Sequence, residues 1–371
     1  MGARGAGPGI ERLEVSAYTV PTDFPEADGT LAWNATTIVL VEVHAAGAAG
    51  IGFSYADTAT ARLIDEHLRE QVVGRDAMAI PAAWDAMVRA VRNLGRPGVA
   101  SMAVSAVDAA LWDLKARLLD APLVSLLGPV RDDVAVYGSG GFTSYPLDRL
   151  AAQLAAWVEA GISRVKMKVG ARPEDDPRRV AAAREAIGPG AELFVDANGA
   201  YARKQALAMA ERFRDAGVTW FEEPVPSDDL DGLRLLRDRA PAGMEIAAGE
   251  YGYDVATFRR MLEAGAVDVL QADATRCGGI TGFLRVAALC DAHGVPLSAH
   301  TAPSLHAHPC CALPAVRHVE YFHDHARIER MFFDGAIEPR GGALRPDRSR
   351  PGLGLELRRP DVQRYIVYGA P

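Results

Sequence analysis

From about Val134 onward, short apolar strand patterns alternate with amphipathic helical patterns along the chain. Eight strand patterns follow one another at intervals of about 20–30 residues. Such an alternation predicts parallel strands joined by helices, and eight of them predict a closed (β/α)8 barrel, a modified TIM barrel of the α/β class. The candidate strands are Val134–Tyr137, Ser163–Val169, Leu193–Asp196, Thr219–Glu222, Glu245–Ala248, Val267–Gln271, Pro296–Ala299 and Val316–Glu320.

The first third of the chain has a different pattern. Residues Ile10–Val20 and Ala35–Ala45 are rich in β-favouring side chains, and we interpret the polar stretch Thr22–Thr30 between them as a loop. Three helical patterns follow near residues 58–73, 81–93 and 100–119. This order predicts an N-terminal α+β capping domain.

The 371 residues are enough for one large barrel and a smaller domain. The last segment is rich in Pro, Gly and Arg, and we expect it to return to the capping domain and complete it. We therefore predict a capping domain at 1–130 that carries a substrate-covering loop, a catalytic barrel at 131–340 and a returning segment at 341–371.

Ionisable side chains lie at the carboxyl ends of seven of the eight predicted strands. One acid after a strand is usually a helix cap. Seven successive strands with such groups indicate a functional site instead, because active sites of these barrels lie at that end. We call these residues the rim residues: Lys166 and Lys168, Asp196, Glu222, Glu250, Asp273, His300 and Glu320.

Lysine is rare in this chain, since only four of the 40 basic residues are lysines. Lys166 and Lys168 are separated by one residue and so point to the same face of their strand, into the barrel mouth. We expect their mutual repulsion and partial burial to lower their pKa values toward neutrality, as a general base requires. The alternative is two solvated lysines on an edge strand.

Three neighbouring strands each supply one carboxylate, from Asp196, Glu222 and Glu250. Oxygen ligands without His or Cys are typical of a Mg²⁺ site. Such an ion polarises a substrate carboxylate and stabilises the dianion that forms when the adjacent carbon loses a proton. Structural salt bridges remain the alternative for any single acid.

The next strands supply a second proton-transfer group. Asp273 can fix the tautomer of His300 and raise its basicity, so that the pair acts as base or acid. Glu320 is either a neutral acid that donates a hydrogen bond to the substrate carboxylate or a simple surface acid.

These motifs together resemble the enolase superfamily, in its mandelate racemase-like subgroup, over nearly the whole chain. The resemblance lies jointly in their order, strand placement and spacing. The matching stretches are Ala109–Leu114, Val165–Gly170, Val195–Asn198, Trp220–Pro224, Gly249–Glu250, Asp273–Gly279, Ser298–His300 and Glu320.

The resemblance implies a role for each rim residue. Lys168 would be the base on one face of the substrate, and His300, oriented by Asp273, would act on the opposite face. Lys166 would contact the substrate carboxylate and lower the pKa of Lys168, and Glu320 would hydrogen-bond that carboxylate. The other implied positions are the Mg²⁺ ligands Asp196, Glu222 and Glu250 and the substrate-binding residues Ser139, Asn198, Arg276 and Trp33.

Two reactions share this first proton abstraction. Returning a proton to the other face gives racemisation or epimerisation, whereas loss of a β-hydroxyl gives dehydration to a 2-keto acid. The loop from Thr22 to Trp33 is polar and acidic, which favours dehydration of an acid sugar. Phe24, Leu31 and Trp33 could instead line the pocket of an apolar 2-hydroxy acid racemase. A Schiff-base aldolase that uses Lys168 and a non-catalytic barrel that serves as an assembly subunit are the remaining alternatives.

Composition limits the partners and the compartment. The net charge of −8 argues against nucleic-acid and anionic-membrane binding. No apolar run reaches the roughly 20 residues of a membrane helix. The four cysteines have no CxxC spacing and are interpreted as reduced thiols. We expect a cytoplasmic homo-oligomer that acts on a small carboxylate.

Overall fold

The computed structural model describes residues 7–369, so residues 1–6 and 370–371 of the predicted terminal segments lie outside it. The N-terminal part forms an antiparallel sheet that packs on helices. Its elements are β1 Arg12–Ala27, β2 Ala32–Ala45, β3 Ala48–Tyr55, α1 Thr58–Leu63, a π-helical turn Ile64–Leu68, α2 Arg69–Val72, α3 Ile80–Ala90, α4 Val99–Leu118 and α5 Leu123–Leu127.

A closed barrel of eight parallel strands follows, because β11 pairs with β4. This confirms the predicted fold, and all eight predicted strands are present. The elements are β4 Val134–Gly140, α6 Leu147–Glu159, β5 Arg164–Lys168, α7 Asp176–Ile187, β6 Glu192–Asp196, α8 Arg203–Arg214, β7 Val218–Glu222, α9 Leu230–Arg239, β8 Glu245–Ala248, α10 Val255–Glu263, β9 Val269–Ala272, α11 Gly279–His293, β10 Leu297–Ala299, α12 Pro303–Ala312, β11 Val316–Phe322 and α13 His323–Phe332.

The C-terminal segment returns to the capping domain, as predicted. Its last strand pairs antiparallel with β1 and so extends the N-terminal sheet. The elements are β12 Phe333–Asp334, β13 Ala343–Leu344, β14 Glu356–Leu357, α14 Arg359–Val362, a 3₁₀ turn Gln363–Tyr365 and β15 Ile366–Tyr368. The residue boundaries of the domains and the homo-oligomeric state stay predictions. Within residues 7–369, no helix combines the length and apolar character needed to cross a bilayer.

The barrel strands are buried on both faces. A separate apolar cluster lies inside the barrel and consists of Tyr137, Phe194, Trp220, Ala247 and Val269. The alternate side chains of the same strands join the large core cluster that also contains the apolar faces of the surrounding helices. Because side chains alternate along a strand, the next inward positions after Phe194 on β6 and Trp220 on β7 are the rim residues Asp196 and Glu222.

The stretch predicted as a polar loop is instead a β-hairpin, and the prediction was wrong. Strand β1 continues to Ala27 and pairs with β2 through Glu26–Trp33 and Ala27–Ala32. Polar side chains are typical of loops, so the sequence suggested one here. The strand forms because β2 supplies hydrogen-bond partners for its backbone N–H and C=O groups. Only the turn around Gly29 separates the two strands.

Strand β3 was not predicted, because glycine and serine separate its β-favouring residues Ile51, Phe53 and Tyr55. Gly50 and Gly52 lie so close to α4 that a Cβ atom there would clash with its backbone, at 2.3 and 2.2 Å from the carbonyl oxygens of Ala110 and Ala106. Glycine lowers strand propensity in general. Here it permits close sheet–helix packing, which propensity alone does not register.

The hairpin tip lies on the carboxyl rim of the barrel. A Cβ atom on Gly29 would be 2.7 Å from the carbonyl oxygen of Val169 and 2.4 Å from that of Ala197. The backbone N–H of Thr143 donates to the carbonyl of Ala27 at 2.8 Å. The hairpin therefore contacts the loops that follow β4, β5 and β6 and covers that side of the barrel mouth.

One buried histidine inside the barrel makes stability depend on pH. Burial, with nearby Arg317, Arg164 and Lys166, lowers the pKa of His318 to about 3. In an unfolded chain its pKa is about 6.5. Below that pH the unfolded state binds a proton that the folded state does not, so stability falls as pH falls from about 6.5 toward 3.

We therefore expect the thermal midpoint to fall between pH 7.5 and pH 5. At pH 5, His318 lowers the free energy of unfolding by roughly 2 kcal/mol relative to neutral pH. The variant His318→Phe should show a smaller fall, although it leaves the Ser298 hydroxyl, 2.9 Å from the imidazole, without this partner. Calorimetry at both pH values measures this, with the exposed His293→Gln as control. An equal fall in His318→Phe would contradict the assignment.

Candidate active site

The structure brings all the rim residues together at the carboxyl end of the barrel. None is more than 6% exposed. The strands β5, β6, β7, β8, β9 and β10 each end at or just before one of them, and β11 carries Glu320 two residues before its end. The interpretation of the lysines as solvated edge residues is therefore wrong, because both are buried in a central strand.

The two lysines are paired with carboxylates. The Lys166 ammonium forms ion pairs with Glu222, with Glu320 at 2.8 Å and with Asp196 at 3.4 Å. The Lys168 ammonium pairs with Asp196 and donates to Asn198 Oδ1 at 3.1 Å. These contacts hold both ammonium groups at the barrel mouth.

The predicted lowering of the lysine pKa values is wrong for the structure as it stands. Burial is the largest single effect and lowers the pKa of Lys168, but the charges of Asp196, Glu250 and Glu222 together raise it by more, so the net direction is upward. The pKa of Lys166 is raised for the same reason, chiefly by Glu222 and Glu320. Lys166 does act on Lys168 in the predicted direction, but the carboxylates outweigh its effect.

Asp196, Glu222 and Glu250 form a compact carboxylate group. One oxygen from each lies within 4.8 Å of the others, and all three residues are buried. Burial and the neighbouring charge of Asp196 raise the pKa of Glu222 well above its usual value. Three convergent, under-neutralised carboxylates without His or Cys fit a hard divalent cation such as Mg²⁺.

His300 and Asp273 form the predicted pair, with Nδ1 and Oδ2 at 2.8 Å. A carboxylate only accepts, so Nδ1 carries the proton and Nε2 is the atom available for proton transfer. Nε2 lies 3.3 Å from Glu250 Oε2 and 3.6 Å from Glu320 Oε2. The imidazole thus faces the carboxylate group from the side of β10.

Glu320 is neither a surface acid nor neutral in this structure. It is 1% exposed. Burial raises its pKa, but the ammonium of Lys166 and the charge of His300 lower it to about 2. The carboxylate is therefore ionised, because Lys166 compensates its charge.

The four predicted substrate-binding residues differ in their contacts. Ser139 is fully buried on β4, and its hydroxyl has no hydrogen-bond partner among the described residues. Asn198 contacts Lys168, and the Arg276 guanidinium donates to the carbonyl of Glu250 at 3.1 Å. The Trp33 indole N–H donates to Glu26 at 2.8 Å, and its ring packs edge-on against Phe142. Trp33 is thus engaged within the hairpin region rather than with the rim residues.

Backbone strain is concentrated at the ends of these strands. Asn198, Glu223, Thr301 and Ala302 adopt positive φ angles of 46°, 38°, 53° and 41°. Non-glycine residues rarely adopt this conformation, and such strain commonly accumulates at functional sites. Here it turns the chain sharply after β6, β7 and β10, next to Asp196, Glu222 and His300.

Two further residues at the site were not predicted. Glu223 is 1% exposed, and burial with the charges of Glu250 and Asp196 raises its pKa well above the usual range. Its position directly after Glu222 was the available signal.

His306 accepts from the Ala274 N–H at 2.8 Å and donates to the Thr301 carbonyl at 2.7 Å, so it joins the loops that carry Asp273 and His300. Nothing in its sequence context indicated this role.

Comparisons with known proteins agree with this geometry. Residues 149–362 match the family described as enolase C-terminal domain-like, and residues 14–128 match the mandelate racemase / muconate lactonizing enzyme N-terminal domain. The chain therefore belongs to the enolase superfamily, in its mandelate racemase-like subgroup.

Individual relatives cover nearly the whole chain. L-Talarate/galactarate dehydratase of Salmonella typhimurium is 33% identical over 94% of this chain and 89% of its own length. A mandelate racemase/muconate lactonizing enzyme-like protein from Rubrobacter xylanophilus is 59% identical, with a TM-score of 0.95 over 97% of this chain and 100% of that one. A racemase from Streptomyces coelicolor with bound magnesium is 31% identical, with a TM-score of 0.91 over 96% and 100%.

The carboxylate group generates a prediction about metal binding. We expect the protein to bind Mg²⁺ and Glu250→Gln to weaken that binding by about tenfold or more, because a ligand charge is lost. Isothermal titration with MgCl₂ measures it. The control is Glu245→Gln, at the opposite end of β8, where Glu245 pairs with Arg317 at the surface. Unchanged affinity in Glu250→Gln would contradict the site.

Proposed function

We propose that the protein is a Mg²⁺-dependent acid-sugar dehydratase, which removes the proton next to a carboxylate and then releases a β-hydroxyl as water. One observation carries this proposal. An amine, Lys168, and an imidazole, His300, flank a group of three buried carboxylates from β6, β7 and β8. This arrangement offers two proton-transfer groups, one on each side of a substrate bound at that group.

Asp196, Glu222 and Glu250 would hold the Mg²⁺ ion. The bound ion supplies positive charge that stabilises the negative charge developing on the substrate carboxylate. The ammonium of Lys166, within ion-pair distance of Glu222 and Glu320, is placed to contact the same carboxylate. Asn198 holds Lys168 in position for the proton transfer.

The two proton transfers divide between the two sides. Lys168, in its neutral form, takes the α-proton at Nζ, and the electrons left on the α-carbon form a double bond to the β-carbon. His300 donates the proton on Nε2 to the β-hydroxyl, which departs as water. The resulting enol tautomerises to a 2-keto-3-deoxy acid. Asp273 stabilises the protonated imidazole that precedes this donation.

The acidic side chains of the hairpin over the barrel mouth favour a polar substrate over an apolar one. It carries Asp23, Glu26 and Asp28, of which Glu26 and Asp28 are buried. Relatives of this chain include an L-talarate/galactarate dehydratase and an arabinonate dehydratase. Acidic and hydrogen-bonding groups suit a polyhydroxylated chain better than an apolar one, because each substrate hydroxyl needs a partner when buried.

Racemisation or epimerisation of a 2-hydroxy acid is the second candidate, and aromatic packing favours it. Phe142 packs edge-on against both Trp33 and Phe322, with centroid separations of 5.7 and 5.6 Å. This apolar group lies between the hairpin and the end of β11. A solved relative is also described as a racemase.

A Schiff-base aldolase and a non-catalytic barrel fit less well. A Schiff base at Lys168 would leave the three convergent carboxylates of Asp196, Glu222 and Glu250 without a function. A non-catalytic subunit would give the buried ionisable groups no function, although they cost free energy to bury. Borohydride trapping at Lys168 would support the aldolase.

Substitution of Lys168 tests whether this residue acts as a base or contributes only a positive charge. We expect Lys168→Arg to lower turnover by about 10²-fold or more, because arginine keeps the charge but cannot accept the proton. His300→Asn should also abolish turnover yet retain exchange of the α-proton with solvent deuterium, catalysed by Lys168. NMR follows the exchange. Full activity of Lys168→Arg, or loss of exchange in both variants with folding intact, would refute the division of roles.

Screening a library of acid sugars decides between the two reactions. The proposal predicts 2-keto-3-deoxy acid formation, detected by semicarbazide absorbance, from at least one member. Polarimetry on 2-hydroxy acids runs in parallel. Optical rotation that decays with no keto acid formed would support the racemase instead.

A further inference from the structure

A second group of metal-ligating side chains lies away from the rim residues. It consists of Asp23 and Glu26 on the hairpin strand β1 and His323 at the start of α13, and we call it the hairpin cluster. One ligand atom from each residue lies within 4.8 Å of the others. Among residues 7–369, only this group and the carboxylate group described above have such geometry.

Asp23 and His323 already have the spacing of neighbouring metal ligands. His323 Nε2 lies 3.1 Å from Asp23 Oδ1. The guanidinium of Arg149 approaches the other carboxylate oxygen, at 3.5 Å, and its charge lies over the Phe24 ring. His323 Nε2 also lies 3.2 Å from Oδ2, so both oxygens of Asp23 contact the imidazole.

Glu26 supplies an independent indication that a ligand is bound here. It is 1% exposed, and its Oε2 accepts from the Trp33 indole. Its Oε1 is buried and has no hydrogen-bond partner in the part of the chain that the structure describes. The same holds for Oδ2 of the adjacent, fully buried Asp324. A buried carboxylate oxygen without a partner is costly, and a cation removes that cost.

We propose that the hairpin cluster is a second divalent-cation site, in which the carboxylates of Asp23 and Glu26 and the Nε2 atom of His323 bind Zn²⁺ or Mn²⁺. The imidazole nitrogen distinguishes it from the all-oxygen carboxylate group, because nitrogen ligands suit Zn²⁺ and other transition metals better than Mg²⁺. The ion would connect the hairpin covering the barrel mouth to the barrel itself. The inference does not depend on the proposed reaction.

Metal titration of the full chain tests this inference. After dialysis against a chelator, wild-type protein titrated with ZnCl₂ should bind two equivalents by calorimetry. Asp196→Asn should weaken one of them, and His323→Gln should weaken the other by about tenfold or more. His293→Gln, an exposed histidine on α11, is the matched control and should bind as the wild type does.

A second variant guards against misfolding. Asp23 is partly exposed, so Asp23→Asn should keep the far-UV circular dichroism of the wild type while losing the same equivalent as His323→Gln. Repetition with MnCl₂, followed by electron paramagnetic resonance, should show the same loss. Binding of one equivalent only, sensitive to Asp196→Asn alone, would overturn the proposal. Unchanged binding in both hairpin variants would overturn it too.

Discussion

An excess of buried negative charge at the barrel mouth is the constraint on which the site depends. Six acids there are at most 3% exposed, and two lysines and one arginine face them. The acids are Asp196, Glu222, Glu223, Glu250, Asp273 and Glu320, and the bases are Lys166, Lys168 and Arg276. Unpaired buried charge is strongly unfavourable, and the raised pKa values of Glu222 and Glu223 are its direct consequence. A divalent cation held by Asp196, Glu222 and Glu250 would offset this charge and would compete with Lys168 for Asp196.

The fold makes this charge density possible. A closed barrel places the ends of eight parallel strands around one opening, so one side chain per strand is enough to assemble the site. The aromatic cluster of Tyr137, Phe194 and Trp220 packs inside the barrel below the rim. The capping hairpin contacts the rim near Val169 and Ala197. Strained turns at Asn198 and Glu223 keep the polar groups in place.

The barrel and the rim residues could be predicted from the sequence, because periodicity and position at a strand end are local properties. Features that depend on partners distant in the chain could not be predicted in this way. The polar segment near Glu26 forms a hairpin because it pairs with β2. The segment around Gly50 contains glycine because it packs closely against α4. The direction of the Lys168 pKa shift depends on how near Asp196 lies relative to Lys166, which no spacing in sequence specifies.

The most direct test is a crystal structure of the protein with Mg²⁺ and a non-reacting hydroxamate analogue of an acid sugar. Because the cation would compete with the lysines for the buried carboxylates, we expect an ion bound to Asp196, Glu222 and Glu250. It also predicts that Lys168 Nζ and His300 Nε2 approach opposite faces of the carbon next to the chelating group, each within about 3.5 Å. Density that shows Asp196 still paired with Lys168 and no ion among the three acids, or both groups on one face, would contradict the account.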